Sequence, residues 1–255
     1  MSLNIIERHK LILNKLEQNG FVNVNELSED FGVSVVTIRK DLKLLEERQL
    51  LFRSHGRAIP ANPYITEHHV HVKEKIHAEE KIRIAIEAGS NLEPNDSIIL
   101  ASGTSVIEFA KRIKHIEGIT VLTASLDTAL ILSENPNIDV IQLGGTVRRS
   151  SSSVIGPIGE KMLAELTFTK LFLGVDGIDI EYGLTTTNIM EASLNKQMIK
   201  SAQKIIVLAD SSKFGRKGFG RICGIEDVDQ IITDSGIDEF TKKQLVELGI
   251  DVTIV

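Results

Sequence analysis

The sequence has very little of what marks several large classes of protein. Its 255 residues include one cysteine, no tryptophan, two tyrosines and five prolines. A lone cysteine cannot form an intrachain disulfide, so a disulfide framework is excluded, and Cys223 is expected to be a buried small hydrophobe. Apolar runs are as short as residues 205–209, far below the roughly 20 residues that cross a bilayer, and no signal-peptide pattern opens the chain. We therefore expect a soluble, cytoplasmic protein with no membrane partner.

Positive charge is scarce overall but is unevenly distributed. The net charge is -6, which argues against a chain that simply coats nucleic acid, because a basic total is the usual sign of phosphate binding. Residues 1–60 nevertheless contain nine basic and eight acidic residues, and residues 34–57 contain six basic and three acidic ones. The remainder carries a net charge of -7. The basic residues therefore mark a small amino-terminal module, and the acidic excess lies elsewhere.

Three short helices are predicted in this module. Apolar residues recur at helical spacing over residues 4–18. Asn23 is suited to cap a second helix, in a capping box with Glu26, and Gly32 ends it. Ser34 is suited to cap a third helix with a buried apolar stripe and an exposed basic face. Two short helices joined by a tight turn form a helix-turn-helix.

The third helix is suited to the major groove of DNA, with its amino-terminal residues against base edges. Two short strand patterns follow it, at residues 50–53 and 57–59, and would form a basic wing. An alternative is a three-helix protein-interaction module whose charges are merely solvated. The predicted DNA-binding residues are Ser34, Val36, Thr37, Arg39, Lys40, Lys43, Arg53, His55 and Arg57.

Two segments of this module, VSVVTIRKDL at residues 33–42 and RSHGRA at residues 53–58, resemble the DeoR family of bacterial transcription regulators. Family members usually show two arginines before the aspartate and two glycines after the histidine, and here Lys40 and Arg57 each take one of those places. Lysine keeps the charge but loses the bidentate geometry of arginine. The departures therefore bear on the operator sequence, and the resemblance implies a double-stranded operator DNA as partner.

A domain boundary is predicted where Pro60 and Pro63 lie close together. We expect a winged helix-turn-helix DNA-binding domain at residues 1–58, a linker at residues 59–72 and a second domain at residues 73–255. Four histidines, at positions 68, 69, 71 and 77, have no cysteine nearby and no standard zinc spacing. They are expected to be exposed, and neither a metal nor a cofactor is predicted.

In the second domain, short apolar runs alternate with amphipathic helices. The runs are residues 97–100, 120–123, 140–143, 170–175, 204–209, 230–233 and 251–255. This alternation predicts an α/β fold with an open, mainly parallel sheet covered on both faces. Ligands of such sheets bind beyond the carboxyl ends of the strands.

Polar and glycine-rich segments follow several of these strands. Residues 102–105, SGTS, lead into a helix, so that hydroxyls and helix amides would face an anion such as a phosphate. Basic side chains would add positive charge, and carboxylates would accept hydrogen bonds from sugar hydroxyls. The predicted effector-binding residues are Ser102, Gly103, Thr104, Ser105, Ser125, Gly144, Gly145, Arg148, Asp176, Gly177, Glu191, Asp210 and Lys213.

The segments SGT at residues 102–104, LGG at 143–145, GLT at 183–185 and ADSSKFG at 209–215 resemble the DeoR-family sensor domain, a relative of ribose-5-phosphate isomerase and the coenzyme A transferases. The resemblance implies a phosphorylated sugar as effector, relief of repression on binding, and a homo-oligomer, dimer or tetramer, on the operator. By position, residues 102–105 and Lys213 would hold the phosphate, and Asp176 and Glu191 would face the sugar. Ala101 and Ala124 stand where an aspartate and an asparagine are common, so two polar contacts are missing.

The leading hypothesis is a non-enzymatic transcription repressor of a carbohydrate-utilisation operon that responds to a sugar phosphate. The alternative is a sugar-phosphate isomerase or coenzyme-A-transferase-like enzyme, with Asp176 or Glu191 as general base. Fold kinship does not establish chemistry, and a DNA-reading module has no evident use in a housekeeping isomerase. The regulator is therefore preferred.

Overall fold

The computed structural model describes residues 4–48, 50–54, 56–60, 69–113 and 117–255. The chain divides into two compact units, Met1–Ile65 and Thr66–Val255. The described elements of the first unit are α1 (Ile5–Asn19), β1 (Val22–Asn23), α2 (Val24–Phe31), α3 (Val35–Glu47), β2 (Leu51–Ser54) and β3 (Arg57–Pro60). The predicted winged helix-turn-helix is confirmed.

Side chains that cap the amino-terminal ends of α2 and α3 set the start of both helices. Ser34 Oγ accepts a hydrogen bond from the N–H of Thr37 at 3.2 Å. At α2, the side chain of Asn23 accepts from the N–H of Asn25 at 3.1 Å, in place of the reciprocal bonds with Glu26 that the sequence predicted. An Asx turn of this kind satisfies one of the free amide donors of the first helical turn.

The first unit has its own apolar core and a small antiparallel sheet. Strand β3 is central, pairing with both β1 and β2. The two-residue strand β1 was not predicted, because a pair of residues carries no periodic pattern. The buried members of the core are Ile12, Leu16, Val22, Val24, Leu27, Ile38, Leu42, Leu45, Leu51 and Ala58.

The second unit contains a larger set of elements. Its described helices are α4 (Val70–Lys73), α5 (Ala78–Ala88), α6 (Thr104–Ala110), α7 (Leu126–Ser133), α8 (Pro157–Leu163), α9 (Ile189–Lys200) and α10 (Glu239–Glu247). Its described strands are β4 (Ser97–Leu100), β5 (Ile119–Thr123), β6 (Ile138–Gln142), β7 (Thr146–Arg148), β8 (Ser153–Ile155), β9 (Phe168–Leu173), β10 (Gly177–Asp179), β11 (Gly183–Thr186), β12 (Ala202–Leu208), β13 (Gly220–Cys223), β14 (Gln230–Thr233) and β15 (Asp251–Ile254).

Seven of these strands form one parallel sheet in the order β15-β14-β12-β9-β4-β5-β6. Each overlaps one of the seven apolar runs, so the predicted α/β fold is confirmed. Alternate residues of a strand enter apolar clusters on opposite faces, as Ile98 and Leu100 do on one face and Ile99 on the other. Burial on both faces explains why inner strands such as β4 are mainly apolar, whereas the edge strands β6 and β15 are more exposed and include polar residues.

Two antiparallel additions were not predicted. Strands β7 and β8 form a hairpin, and β10, β11 and β13 form a three-stranded sheet. Each strand has only three or four residues, too few for a periodic pattern to separate a strand from a loop. Elements also extend into the predicted linker from both sides, because residues 59 and 60 lie in β3 and residues 70–72 lie in α4. No helix among the described residues is long and apolar enough to cross a membrane.

Candidate functional site

The exposed face of α3 carries the residues that the sequence assigned to DNA. Val36 is 61% exposed, and Arg39 and Lys40 are also exposed. Ser34 and Thr37, at the start of the helix, join their hydroxyl groups at 2.9 Å. The amino-terminal end of α3 therefore offers hydroxyls, one apolar group and two cations on one accessible surface.

The other predicted DNA-binding residues are engaged within the fold. Arg53 binds Glu46 at 2.6 Å, Lys43 lies 3.8 Å from Glu47, and the guanidinium of Arg57 lies 4.9 Å from the centre of the Phe21 ring. Within the described part of the chain, Arg39 and Lys40 form no ion pair. His55, the remaining predicted DNA-binding residue, lies outside the residues that the structure describes.

In the second unit, a cleft opens at the carboxyl ends of the parallel strands. The loop after β4, the end of β9, the β7–β8 hairpin, the end of β11, α9 and α4 all contribute to it. Its lining residues are Val70, Lys73, Ser102, Gly103, Thr104, Ser105, Arg148, Ser150, Ser151, Gly174, Val175, Asp176, Thr186, Thr187, Glu191 and Lys213.

Asp176 is one of two acidic residues that line the cleft. One of its carboxylate oxygens accepts from Lys73 Nζ at 2.6 Å, and the other accepts from the Thr186 hydroxyl at 3.1 Å and the Thr187 N–H at 3.2 Å. Burial alone would raise the pKa of Asp176, but the charges of Lys73 and Lys213 outweigh it and hold that pKa well below its usual range. Asp176 is therefore ionised at neutral pH.

Glu191, the second acidic residue of the cleft, has a different electrostatic environment. Its carboxylate accepts from Ser102 Oγ at 2.7 Å and from Arg148 Nη1 at 3.0 Å. Burial and the negative charge of Asp176 together raise the pKa of Glu191 despite these bonds. The amino-terminal cap of α9 orients it, because Asn188 Oδ1 accepts from the Glu191 N–H.

Three cations therefore face two carboxyl groups in this cleft. Lys73, Arg148 and Lys213 line it together with Asp176 and Glu191. Because three basic side chains outnumber two carboxyl groups, the cleft carries a net positive charge even when both carboxyl groups are ionised. Hydroxyls from three separate chain segments surround these charges, as an anion with further hydrogen-bonding groups would require.

Eight of the thirteen predicted effector-binding residues line this cleft: Ser102, Gly103, Thr104, Ser105, Arg148, Asp176, Glu191 and Lys213. The other five lie outside its lining: Ser125, Gly144, Gly145, Gly177 and Asp210. The departures Ala101 and Ala124 are buried in an apolar cluster and do not line the cleft either.

The reasons for these exclusions are local. Ser125 is fully buried and its hydroxyl caps α7 by accepting from the N–H of Thr128 at 3.2 Å. Asp210 is 1% exposed and bonds the N–H of Ser212 at 3.1 Å. A Cβ on Gly177 would lie 2.4 Å from a backbone oxygen of Arg216, so glycine is needed there for close packing.

Sequence reasoning missed several residues of the cleft. The most important is Lys73, which binds a carboxylate 103 positions away and was placed at the domain boundary. Thr186, Thr187, Ser150 and Ser151 were also missed. The signal that could have found them is the run TTT at residues 185–187 and the run SSSS at residues 150–153, since hydroxyl-rich stretches are uncommon in a buried core.

Comparisons with known proteins identify both units. A DeoR-like helix-turn-helix domain matches residues 8–63, and the DeoR C terminal sensor domain matches residues 76–235. The chain belongs to the DeoR family. It is therefore a DNA-binding transcription regulator, and the cleft lies in its DeoR-type sensor domain.

Relatives within the DeoR family match the chain over nearly its full length. An uncharacterized HTH-type transcriptional regulator, YulB, of Bacillus subtilis (strain 168) is 37% identical over 98% of this chain and 97% of its own. The putative aga operon transcriptional repressor of Escherichia coli O157:H7 is 36% identical over 98% and 93%. A solved ribose 5-phosphate isomerase A from Methanocaldococcus jannaschii covers 54% of this chain and 55% of its own at 16% identity, with a TM-score of 0.40 that is too low to carry an argument.

Proposed function

We propose that the protein represses a carbohydrate-utilisation operon and that a phosphorylated sugar bound in the cleft lowers its affinity for the operator. The observation that carries this proposal is the cationic, hydroxyl-lined cleft, whose lining includes an ionised aspartate, Asp176. A phosphate is attracted by the positive charges, and sugar hydroxyls donate to the carboxylate. The names of two relatives, the aga operon repressor and a lactose phosphotransferase system repressor of Staphylococcus epidermidis, agree with a carbohydrate role.

Within the cleft, we assign the phosphate to residues 102–105 and Lys213, at the start of α6 and after β12. Asp176 and Glu191 would accept from the sugar hydroxyls. Lys73 and Arg148 are already paired with these two carboxylates. A bound anion would compete for them, so that ligand binding changes contacts inside the cleft as well as filling it.

The DNA-binding part of the proposal assigns base contacts to the start of α3. Val36, Thr37, Arg39 and Lys40 lie on its accessible surface. A helix-turn-helix protein usually reads two half-sites about one helical turn apart, so a homo-oligomer, dimer or tetramer, is part of the proposal. Ligand would act by binding better to one arrangement of the DNA-binding modules, which is all that coupling requires.

The direct test is a mobility-shift titration of the DNA upstream of the protein's own gene, with a panel of phosphorylated sugars. We expect a specific shift that one phosphorylated sugar weakens, whereas the same sugar without phosphate and inorganic phosphate do not. Lys213→Met should abolish the response, and the exposed Lys196→Met is its matched control. Absence of a specific shift would rule out operator binding by this protein, and a shift indifferent to every sugar phosphate would rule out sensing.

One observation favours an enzymatic alternative. Glu191 has a raised pKa inside the cleft, as a general base for sugar isomerisation would. Incubation of the pure protein with ribose 5-phosphate, followed by assay for the ketose phosphate, tests it. We expect no turnover, and turnover that Glu191→Gln removes would establish the enzyme instead.

A further inference from the structure

A buried ion pair joins α1 to the helix that carries the DNA-binding surface. Asp41 of α3 is 2% exposed, and both of its carboxylate oxygens accept from Arg8 of α1, at 2.6 Å from Nε and 3.0 Å from Nη2. His9, the next residue of α1, places Nε2 3.2 Å from Asp41 Oδ1. Three titratable side chains are thus enclosed in the core of a small unit in which the other buried residues that the structure describes are apolar.

The helical period explains why these side chains meet. Arg8 and His9 precede Ile12 and Leu16 on the buried face of α1. Asp41 lies between exposed Lys40 and buried Leu42, so it turns inward immediately after the DNA-binding residues turn outward. At about 100° per residue, the Asp41 side chain lies about 160° around the helix from Arg39 and about 100° from Lys40, so it faces the core while these two cations face outward.

The ion pair between Arg8 and Asp41 fixes the relative geometry of α1 and α3 and adds little to the free energy of folding. A buried ion pair gains Coulomb energy but loses the hydration of both ions, and apolar replacements of similar volume are often neutral. Apolar contacts, such as those of Ile38 and Leu42, are non-directional. A two-bond arginine–carboxylate fork has a fixed geometry. It therefore adds a directional restraint on the rotation of α3 about its axis.

We propose that Arg8, supported by His9, positions α3 for sequence-specific reading of the operator by holding Asp41 at one rotation of the helix. Side-chain ends lie about 6 Å from a helix axis, so a rotation of about 30° would move Arg39 and Lys40 by about 3 Å. That distance is as long as a hydrogen bond, and base contacts do not survive it. Phosphate attraction, which tolerates such shifts, would largely remain.

The test separates specific from non-specific DNA binding in the full-length protein. The specific probe is a duplex that the wild-type protein selects from a random library, and the non-specific probe is a scrambled duplex of equal length. The variant Arg8→Met with Asp41→Leu replaces the pair by apolar side chains of similar size. We expect it to stay folded and to lose about tenfold or more in affinity for the specific duplex, because one good base contact is worth that much. Its affinity for the scrambled duplex should change less than about threefold.

Lys10→Met is the matched control, because it removes one positive charge from an exposed position of α1. We expect it to keep the ratio of specific to non-specific affinity. Arg8→Lys keeps the charge but not the two-bond fork, and its ratio should fall by about threefold or more. An unchanged ratio in the folded double variant, or in Arg8→Lys if the double variant does not fold, overturns the proposal. The inference rests on the DNA-binding role of α3, and a wild-type protein that selects no duplex would contradict that role instead.

Discussion

At the scale of single residues, the buried Lys81 makes the stability of the fold depend on pH. It is 3% exposed, and its Nζ donates to the backbone oxygens of Lys73 and Ile76, both at 2.6 Å. Burial lowers its pKa from 10.5 to about 8. The unfolded chain therefore holds this proton more tightly than the folded chain, and stability increases as the pH rises from about 8 to about 10.5.

We therefore expect the free energy of unfolding of the wild type to rise, relative to that of Lys81→Met, by up to about 3 kcal/mol between pH 7 and pH 10.5. Urea titrations of both proteins across this range measure it. Lys75→Met, which removes an exposed lysine from the same segment, should follow the wild type at every pH. Parallel curves for wild type and Lys81→Met would show that Lys81 does not titrate in this range.

Cys223 gives a second prediction at this scale. Burial, with the negative charges of Asp227 and Glu226, raises the pKa of its thiol to about 12. Because the thiolate is the reactive form, iodoacetamide at pH 8 should modify the native protein far more slowly than the urea-unfolded protein. Mass spectrometry of timed samples measures the two rates. Equal rates would mean that the thiol is ionised in the fold, as a redox sensor requires.

How far single residues of the cleft could be predicted depends on the distance to their partners along the chain. Residues 102–105 were found because a glycine-and-hydroxyl turn between a strand and a helix is a local pattern. Lys73 was missed because its partner, Asp176, is 103 positions away, and no local pattern links the two. Asp210 was assigned to the ligand because it follows a strand, but its side chain caps the next turn.

At the scale of elements, the β7–β8 hairpin carries Arg148, Ser150 and Ser151 to the cleft. Its start depends on one glycine. Gly145 has φ +153°, and a Cβ there would lie 2.6 Å from the backbone oxygen of Ile155 in the paired strand. At Gly144 the nearest atom, Cγ2 of Ile158, would lie at 3.7 Å, an ordinary contact.

We expect Gly145→Ala to displace the hairpin, lower the melting temperature and weaken binding of the effector about tenfold or more, because the loss of Arg148 from the cleft removes a charge-assisted contact. Gly144→Ala should leave the binding and the melting temperature nearly unchanged. Calorimetric titration with the effector identified in the mobility-shift panel compares the two variants. A similar loss in both would mean that the glycines contact the ligand directly, as the sequence had indicated.

The elements that the sequence predicted correctly are those with strong local patterns. Each of the seven strands of the parallel sheet overlaps a short, mainly apolar run, and β4 and β14 have the predicted bounds. Strands β1, β7, β8, β10, β11 and β13 have only two to four residues. Patterns of that length are too short for periodicity to separate a strand from a loop.

At the scale of the whole molecule, coupling between effector and operator must be reciprocal. If a saturating effector lowers operator affinity by some factor, a saturating operator lowers effector affinity by the same factor. Calorimetric titrations of effector into the free protein and into the protein–operator complex measure it. Unequal factors would show that a further equilibrium, such as a change of oligomeric state, takes part.

The net charge of -6 bears on how the affinity for operator DNA depends on salt concentration. Most of the chain is acidic and is repelled by phosphate, so binding must rely on the few cations of one small surface rather than on bulk charge. We expect a plot of log affinity for operator against log salt to have a moderate slope, which Lys40→Ala reduces by about 1 per DNA-bound subunit. Lys161→Ala removes an exposed lysine from α8 of the sensor unit and should leave the slope unchanged. An equal change in both variants would mean that DNA contacts the sensor unit as well, so that the acidic total does not confine binding to α3 and the wing.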